Sequence, residues 1–128
     1  MPASILIADD YGDNRELLRL ILEMAGHRVR EAHDGVECLR LARLEPPDIF
    51  LIDLSMPVLD GWNTLKELRA DERMRALPCI AVTAFADADR ARAIESGFDA
   101  YVTKPFRSKE LLLIIERLLA ERQQTETI

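Results

Sequence analysis

Cysteine is scarce in this chain. Cys38 and Cys79, the two in 128 residues, are too few and too separated for a disulfide framework or a thiolate metal cluster. Neither has a histidine at a spacing that suggests a nucleophile pair, and Cys79 opens an apolar run that suits a buried thiol. Positive charge is also in short supply. Seventeen Lys and Arg stand against 23 Asp and Glu, a net charge of −6. That balance argues against non-specific nucleic-acid binding, which depends on cations neutralising phosphates. No apolar run approaches the ~20 residues that span a bilayer. The N-terminus lacks the basic segment and apolar core of a secretory signal, so the expected compartment is the cytoplasm. Linker-like and low-complexity stretches are missing too, and the length suits one domain with a substantial core.

What is present is a strict alternation. Five short apolar runs are interleaved with five helical patterns. The expected strands are Ser4–Ala8, Arg28–Ala32, Ile49–Asp53, Cys79–Thr83 and Ala100–Thr103. The second, "RVREA", alternates as an edge strand would, whereas the first, third and fourth are almost wholly apolar, as strands covered on both faces are. Asp13 with Glu16, and Asp34 with Glu37, have the spacing of capping boxes. Asp60 and Ser108 are further N-cap candidates, Gly26 and Gly97 suit C′ positions, and Pro46–Pro47 block the second helix. The domain is expected over 1–122, with 123–128, "QQTETI", as a short flexible tail. Alternating strand and helix implies an α/β fold with a parallel sheet and right-handed crossovers.

A parallel sheet aligns the C-terminal ends of its strands along one edge, and ligands bind outside that edge. Strand one runs into Asp9 and Asp10, strand three ends at Asp53, strand four at Thr83, and strand five is followed by Lys104 and Pro105. Taken singly, most of these have plain explanations as loop acids, a β-branched strand residue and a surface lysine. Asp53 is harder to explain that way, because an acid closing a buried apolar strand is costly to desolvate without partners. Together on one edge they make a site. Two carboxylates about 4 Å apart repel by roughly 4 kcal/mol at an effective dielectric constant of 20. A hard divalent cation relieves this, and carboxylates with few nitrogen or sulfur ligands point to Mg²⁺. With Lys104 and Thr83 opposite, the site can receive a phosphoryl group, and Asp53 can be the nucleophile that takes it up.

The segments "ADD" at 8–10, "LIDLSMPVLDG" at 51–61, "VTA" at 82–84 and "YVTKPF" at 101–106 carry a family resemblance. In their order and spacing the chain, apart from its tail, resembles the receiver domain of two-component response regulators, in the stand-alone, chemotaxis-regulator-like form. The resemblance implies a doubly wound, flavodoxin-like (βα)5 sheet in the order 2-1-3-4-5. It implies that Asp53 is the phosphoacceptor and that Thr83 and Lys104 contact the phosphoryl oxygens. It also implies that Asp10, Asp53 and the backbone carbonyl of Ser55 bind Mg²⁺ directly, with Asp9 assisting through water. Tyr101 matches the switch aromatic, and Met56–Pro57 with Asp60–Gly61 match the loop after the acceptor. The Lys104–Pro105 bond is expected to be cis. Ser55 and Phe85 stand at variable positions that in this family influence the lifetime of the acyl phosphate.

The implied partners are a sensor histidine kinase or histidine phosphotransfer protein and a downstream protein target. The target is expected on the face of helix four, strand five and helix five, with no direct nucleic-acid or membrane contact and no enzymatic turnover. At about 100° per residue, Leu111, Leu112, Ile114, Ile115, Leu118 and Leu119 share one arc of helix five. Leu113 falls outside that arc and is the candidate partner anchor. Three rival readings fit less well. A haloacid-dehalogenase-type phosphohydrolase wants an acid two residues after its nucleophile, where Ser55 stands. A flavodoxin-like nucleotide or flavin binder needs a phosphate-cradling loop after strand one, where "DDYGDN" offers acids. A phosphorylation-independent docking domain has no need of the complete site set.

Overall fold

The computed structural model describes residues 2–84 and 87–126. The elements run β1 (Ser4–Ala8), α1 (Gly12–Met24), β2 (Arg28–Ala32), α2 (Gly35–Leu44), β3 (Ile49–Ile52), α3 (Gly61–Ala70), β4 (Cys79–Thr83), α4 (Arg90–Ser96), β5 (Ala100–Thr103) and α5 (Ser108–Glu126). All strand pairs are parallel and the sheet order is 2-1-3-4-5. Every residue of β3 and β4 is buried, which is why these apolar runs sit in the interior while the alternating β2 takes an edge. The period of two splits the core in half. Leu6, Phe50, Ile52 and Ala81 face α2, α3 and α4, whereas Ile7, Leu51, Ile80 and Val82 face α1 and α5.

Helix α5 packs by the expected arc: Leu111, Ile115 and Leu118 are buried, Leu112, Ile114 and Leu119 lie half-buried against them, and Leu113 is 57% exposed. Among the described residues, no helix is long and apolar enough to cross a membrane.

Several boundaries differ from the sequence reading, each for a local reason. Strand β3 stops at Ile52, so Asp53 is the first residue beyond it, although its N–H still bonds the Ala8 carbonyl at 2.9 Å. Asp13 does not cap α1. The cap position is Tyr11, whose N–H is taken by the Asp9 carboxylate and whose phenol donates to Asp13. Ser108 is itself the first residue of α5, and the N–H of Leu111 bonds the Arg107 carbonyl. Helix α5 is continuous through Glu126, and residues 127–128 of the expected tail over 123–128 lie outside the described residues. Asp34 and Asp60 do cap α2 and α3, accepting from the N–H groups of Glu37 and Asn63. Gly26 and Gly97 have φ of 94° and 116°, as left-handed helix ends require.

His27 is buried just before β2, and its Nδ1 accepts the N–H of Ala3 at 3.1 Å, a bond that needs an unprotonated nitrogen. Burial pushes its pKa below the ordinary 6.5, with Glu116 opposing. A depressed folded pKa means the stabilisation is complete above pH 6.5 and is lost as pH falls through the folded value. His27→Gln should therefore flatten the fall in melting temperature between about pH 7 and pH 5. Identical slopes in the two proteins would show that His27 takes up no proton on unfolding.

Candidate functional site

The site is built by strand register. Ala8 on β1 pairs with Ile52 on β3, so the next residues, Asp9 and Asp53, leave the sheet side by side. Thr83 pairs with Thr103 on the far side, which brings Lys104 to the same edge. Asp9, Asp10 and Asp53 each offer an oxygen, and all three oxygens lie within 4.8 Å of one another. Together with Asn14, Ser55, Thr83 and Lys104 they line a cleft of about 310 Å³. Asp9 and Thr83 are essentially inaccessible, Asp53 is 7% exposed, and Asp10 stands in solvent.

The two buried acids are compensated in the same way. Lys104 Nζ donates to Asp9 Oδ2 at 2.7 Å and to Asp53 Oδ2 at 2.8 Å. The other oxygens take backbone N–H groups, Tyr11 to Asp9 Oδ1 at 2.9 Å and Ser55 to Asp53 Oδ1 at 3.0 Å. Arg15 adds positive charge nearby by donating to the Asp9 carbonyl at 2.8 Å. Burial opposes the charge of Lys104, but the bonds and charges of Asp53 and Asp9 outweigh it and its pKa rises above 10.5. Asp10 adds a third carboxylate to the pair that Lys104 bridges. The donor set is all oxygen and partly open, which fits a hard cation such as Mg²⁺.

The loop after Asp53 is tightly folded. A Cβ on Gly61 would run into the Asp53 carbonyl oxygen, so the start of α3 packs directly on the Asp53 backbone. Val58 has φ of 69° and is 81% exposed, and Leu59 N–H closes onto the Pro57 carbonyl at 2.7 Å. A β-branched residue at positive φ is strained. Val58→Asn should raise stability by about 0.5–1 kcal/mol in urea unfolding. A fall would mean that the valine side chain holds the loop through contacts worth more than the strain.

Tyr101, the expected switch residue, lies outside the cleft lining. It is buried at 3% exposure beneath Arg90, whose guanidinium carbon is 5.2 Å from the ring centroid. The Lys104–Pro105 bond is cis. Phe85 lies outside the described residues. Sequence reasoning passed over Asn14, Arg15 and Arg90, because nothing in their spacing marks a contact across the fold.

Residues 5–116 match the response regulator receiver domain. The chain belongs to that family. This receiver is 35% identical over 122 residues to the polar-differentiation response regulator DivK of Brucella anthropi, covering 94% of the present chain and 99% of DivK. It is 42% identical over 116 residues to a probable transcriptional regulator, ycf27, of Guillardia theta, covering 90% of the present chain but 44% of that protein. A solved structure, the receiver domain of sensor histidine kinase PA1611 from Pseudomonas aeruginosa, matches at 35% identity with a TM-score of 0.86. The alignment covers 94% of this receiver and 99% of that chain, which holds a magnesium ion in its active-site cleft.

Proposed function

We propose that this receiver takes a phosphoryl group onto Asp53 with Mg²⁺ bound and signals through altered protein contacts. The observation that carries the reading is the cluster of three carboxylates, with Lys104 bridging the two buried ones. Asp10, Asp53 and the Ser55 carbonyl would hold the metal, and Asp9 would assist through water. Bound Mg²⁺ supplies charge neutralisation for the phosphoryl oxygens. The protein's own groups do the rest. The Ser55 N–H and Lys104 each hold one oxygen of the Asp53 carboxylate, which lines the cleft, and one of these oxygens is the nucleophile. That oxygen forms the new O–P bond while the donor's P–N or P–O bond breaks. Lys104 then exchanges a carboxylate oxygen for a phosphoryl oxygen, and the buried Thr83 hydroxyl offers a second donor. The position two residues after the acceptor is Ser55, which gives no general base for rapid hydrolysis, so we read a phosphoacceptor rather than a turnover enzyme.

The phosphodonor is a histidine kinase or a histidine phosphotransfer protein. It must reach a nearly buried Asp53 through a cleft walled by Tyr11 and Asn14 at the start of α1. That helix carries Leu17, Leu20 and Met24, exposed by 50, 57 and 80% at i, i+3 and i+7. This apolar stripe continues from the cleft and suits a partner helix. Leu17→Asp with Leu20→Asp should slow transfer from a protein donor at least tenfold, about 1.4 kcal/mol, and leave labelling by a small phosphodonor unchanged. Equal slowing with both donors would mean that the site itself had been disturbed. Output is assigned to the α4–β5–α5 face, where Ile94 and Leu113 are exposed.

The reading is tested by intact-protein mass spectrometry after exposure to a small phosphodonor. One phosphoryl adduct should form with Mg²⁺, and none in chelator or in Asp53→Asn. Partner binding that is identical in wild type and Asp53→Asn would instead favour a phosphorylation-independent docking domain.

A further inference from the structure

Helix α4 is attached unlike its neighbours. One of its seven residues, Ala93, is buried, whereas α2 and α3 each bury four. Two arginines spaced two apart, Arg90 and Arg92, meet aromatic rings on the elements to either side. The Arg92 guanidinium carbon lies 4.0 Å from the ring centroid of Trp62 on α3, and Trp62 meets Phe98 edge-on. The Arg90 guanidinium sits over Tyr101 on β5 and also donates to the Tyr101 carbonyl at 3.0 Å.

Both rings belong to segments that carry the site. Trp62 follows Gly61, the residue packed on the Asp53 backbone. Tyr101 precedes Lys104 by three residues on the strand that delivers it. The far end of α4 is held separately: Gly97 closes the helix in a left-handed conformation, and Arg69 donates to its carbonyl at 2.6 Å.

We propose that Arg90 and Arg92 are positioning residues that pin the first turns of α4 to the phosphoacceptor framework, and that phosphorylation acts by loosening these pins. The second half of this statement rests on the receiver reading above. A guanidinium stacked on a ring is a weak, geometry-dependent contact whose polar edges can stay hydrated. Small movements of the half-buried Trp62, or of Arg90 across the buried Tyr101 ring, therefore weaken it without opening the apolar core. With its C-terminal end tied at Gly97, α4 pivots there and its N-terminal turn swings. That makes it a two-state element on the output face.

Amide hydrogen exchange of the full chain tests both halves. Without phosphodonor, Arg92→Met should raise exchange in α4 about fivefold, and Arg90→Met, which also loses the hydrogen bond to the Tyr101 carbonyl, by at least as much. Amides of α1 and α2 should not change. Methionine matches arginine in helix propensity, so helix fraying is controlled. Lysine at either position keeps the charge but not the plane and should restore part of the protection. With small phosphodonor and Mg²⁺, exchange in wild-type α4 should rise. The double methionine variant should already be fast and rise no further, while its adduct forms at the wild-type rate. Unchanged α4 exchange in both single variants would overturn the pins, and a double variant that responds like wild type would overturn their link to phosphorylation. Failure of wild type to form any adduct would count against the receiver reading instead, leaving the phosphodonor-free comparison to decide on the pins.

Discussion

Lys104→Met is expected to lower the unfolding free energy by about 3 kcal/mol in chelator, because it leaves two buried carboxylates facing each other without their shared cation. Asp9 and Asp53 each have a single contact to this ammonium, at 2.7 and 2.8 Å, and each has spent its other oxygen on a backbone N–H. Those remaining bonds come from neutral backbone groups, which do not offset the charge. The converse change should have the opposite sign. Asp53→Asn removes one of three clustered charges, leaves Asp9 paired with Lys104, and should raise the melting temperature in chelator. In the Lys104→Met background it should recover much of the loss, so the two effects are strongly non-additive. Mg²⁺ should stabilise wild type more than Asp53→Asn by mass action. Denaturant unfolding of the four proteins, with and without Mg²⁺, measures all of this. Additive effects would mean that carboxylate repulsion does not govern the stability of this edge.

The second large effect lies at the opposite edge of the sheet. Arg69, in the last turn of α3, donates to the carbonyls of Gly97, Arg75 and Leu77 and to the carboxylate of Asp99. Asp99 in turn accepts the N–H of Cys79 at 2.8 Å, at the start of β4. One side chain thus joins the α3–β4 connection to the α4–β5 turn. Arg69→Ala should cost roughly 2–3 kcal/mol, the range for losing several hydrogen bonds to a charged, mostly buried group. Because the cluster is remote from Asp53, phosphoryl uptake per folded molecule should not change. Urea unfolding alongside the adduct assay separates the two quantities. A loss below ~0.5 kcal/mol would mean that water replaces these bonds at little cost.

The contrast between the two edges explains what could be read in advance. Asp9, Asp10, Asp53, Thr83 and Lys104 were legible because strand ends are visible as apolar runs, and a parallel sheet must align them. The alternating pattern of "RVREA" likewise marked β2 as an edge. Arg69 left no such trace. Its partners are mostly backbone carbonyls, which every residue carries, and they come together through the tertiary fold rather than through a periodic pattern. Arg90 and Arg92 were hidden for the same reason, since aromatic faces on α3 and β5 have no local signature. The caps at Asp13 and Ser108 were misplaced by competition at short range. Asp9 takes the Tyr11 N–H, and the first turn of α5 begins one residue early. On α1, apolar residues lie on most sides, so the sequence could not separate the buried Leu18 and Leu22 from the exposed Leu17, Leu20 and Met24.

The most direct test of the account is to locate the phosphorylated residue. An acyl phosphate can be trapped by borohydride, which reduces the modified aspartate to homoserine and releases phosphate. After treatment with a small phosphodonor and Mg²⁺, peptide mass spectrometry should find homoserine at position 53 alone. Homoserine at position 9 or 10, or none anywhere despite saturating Mg²⁺, would contradict it.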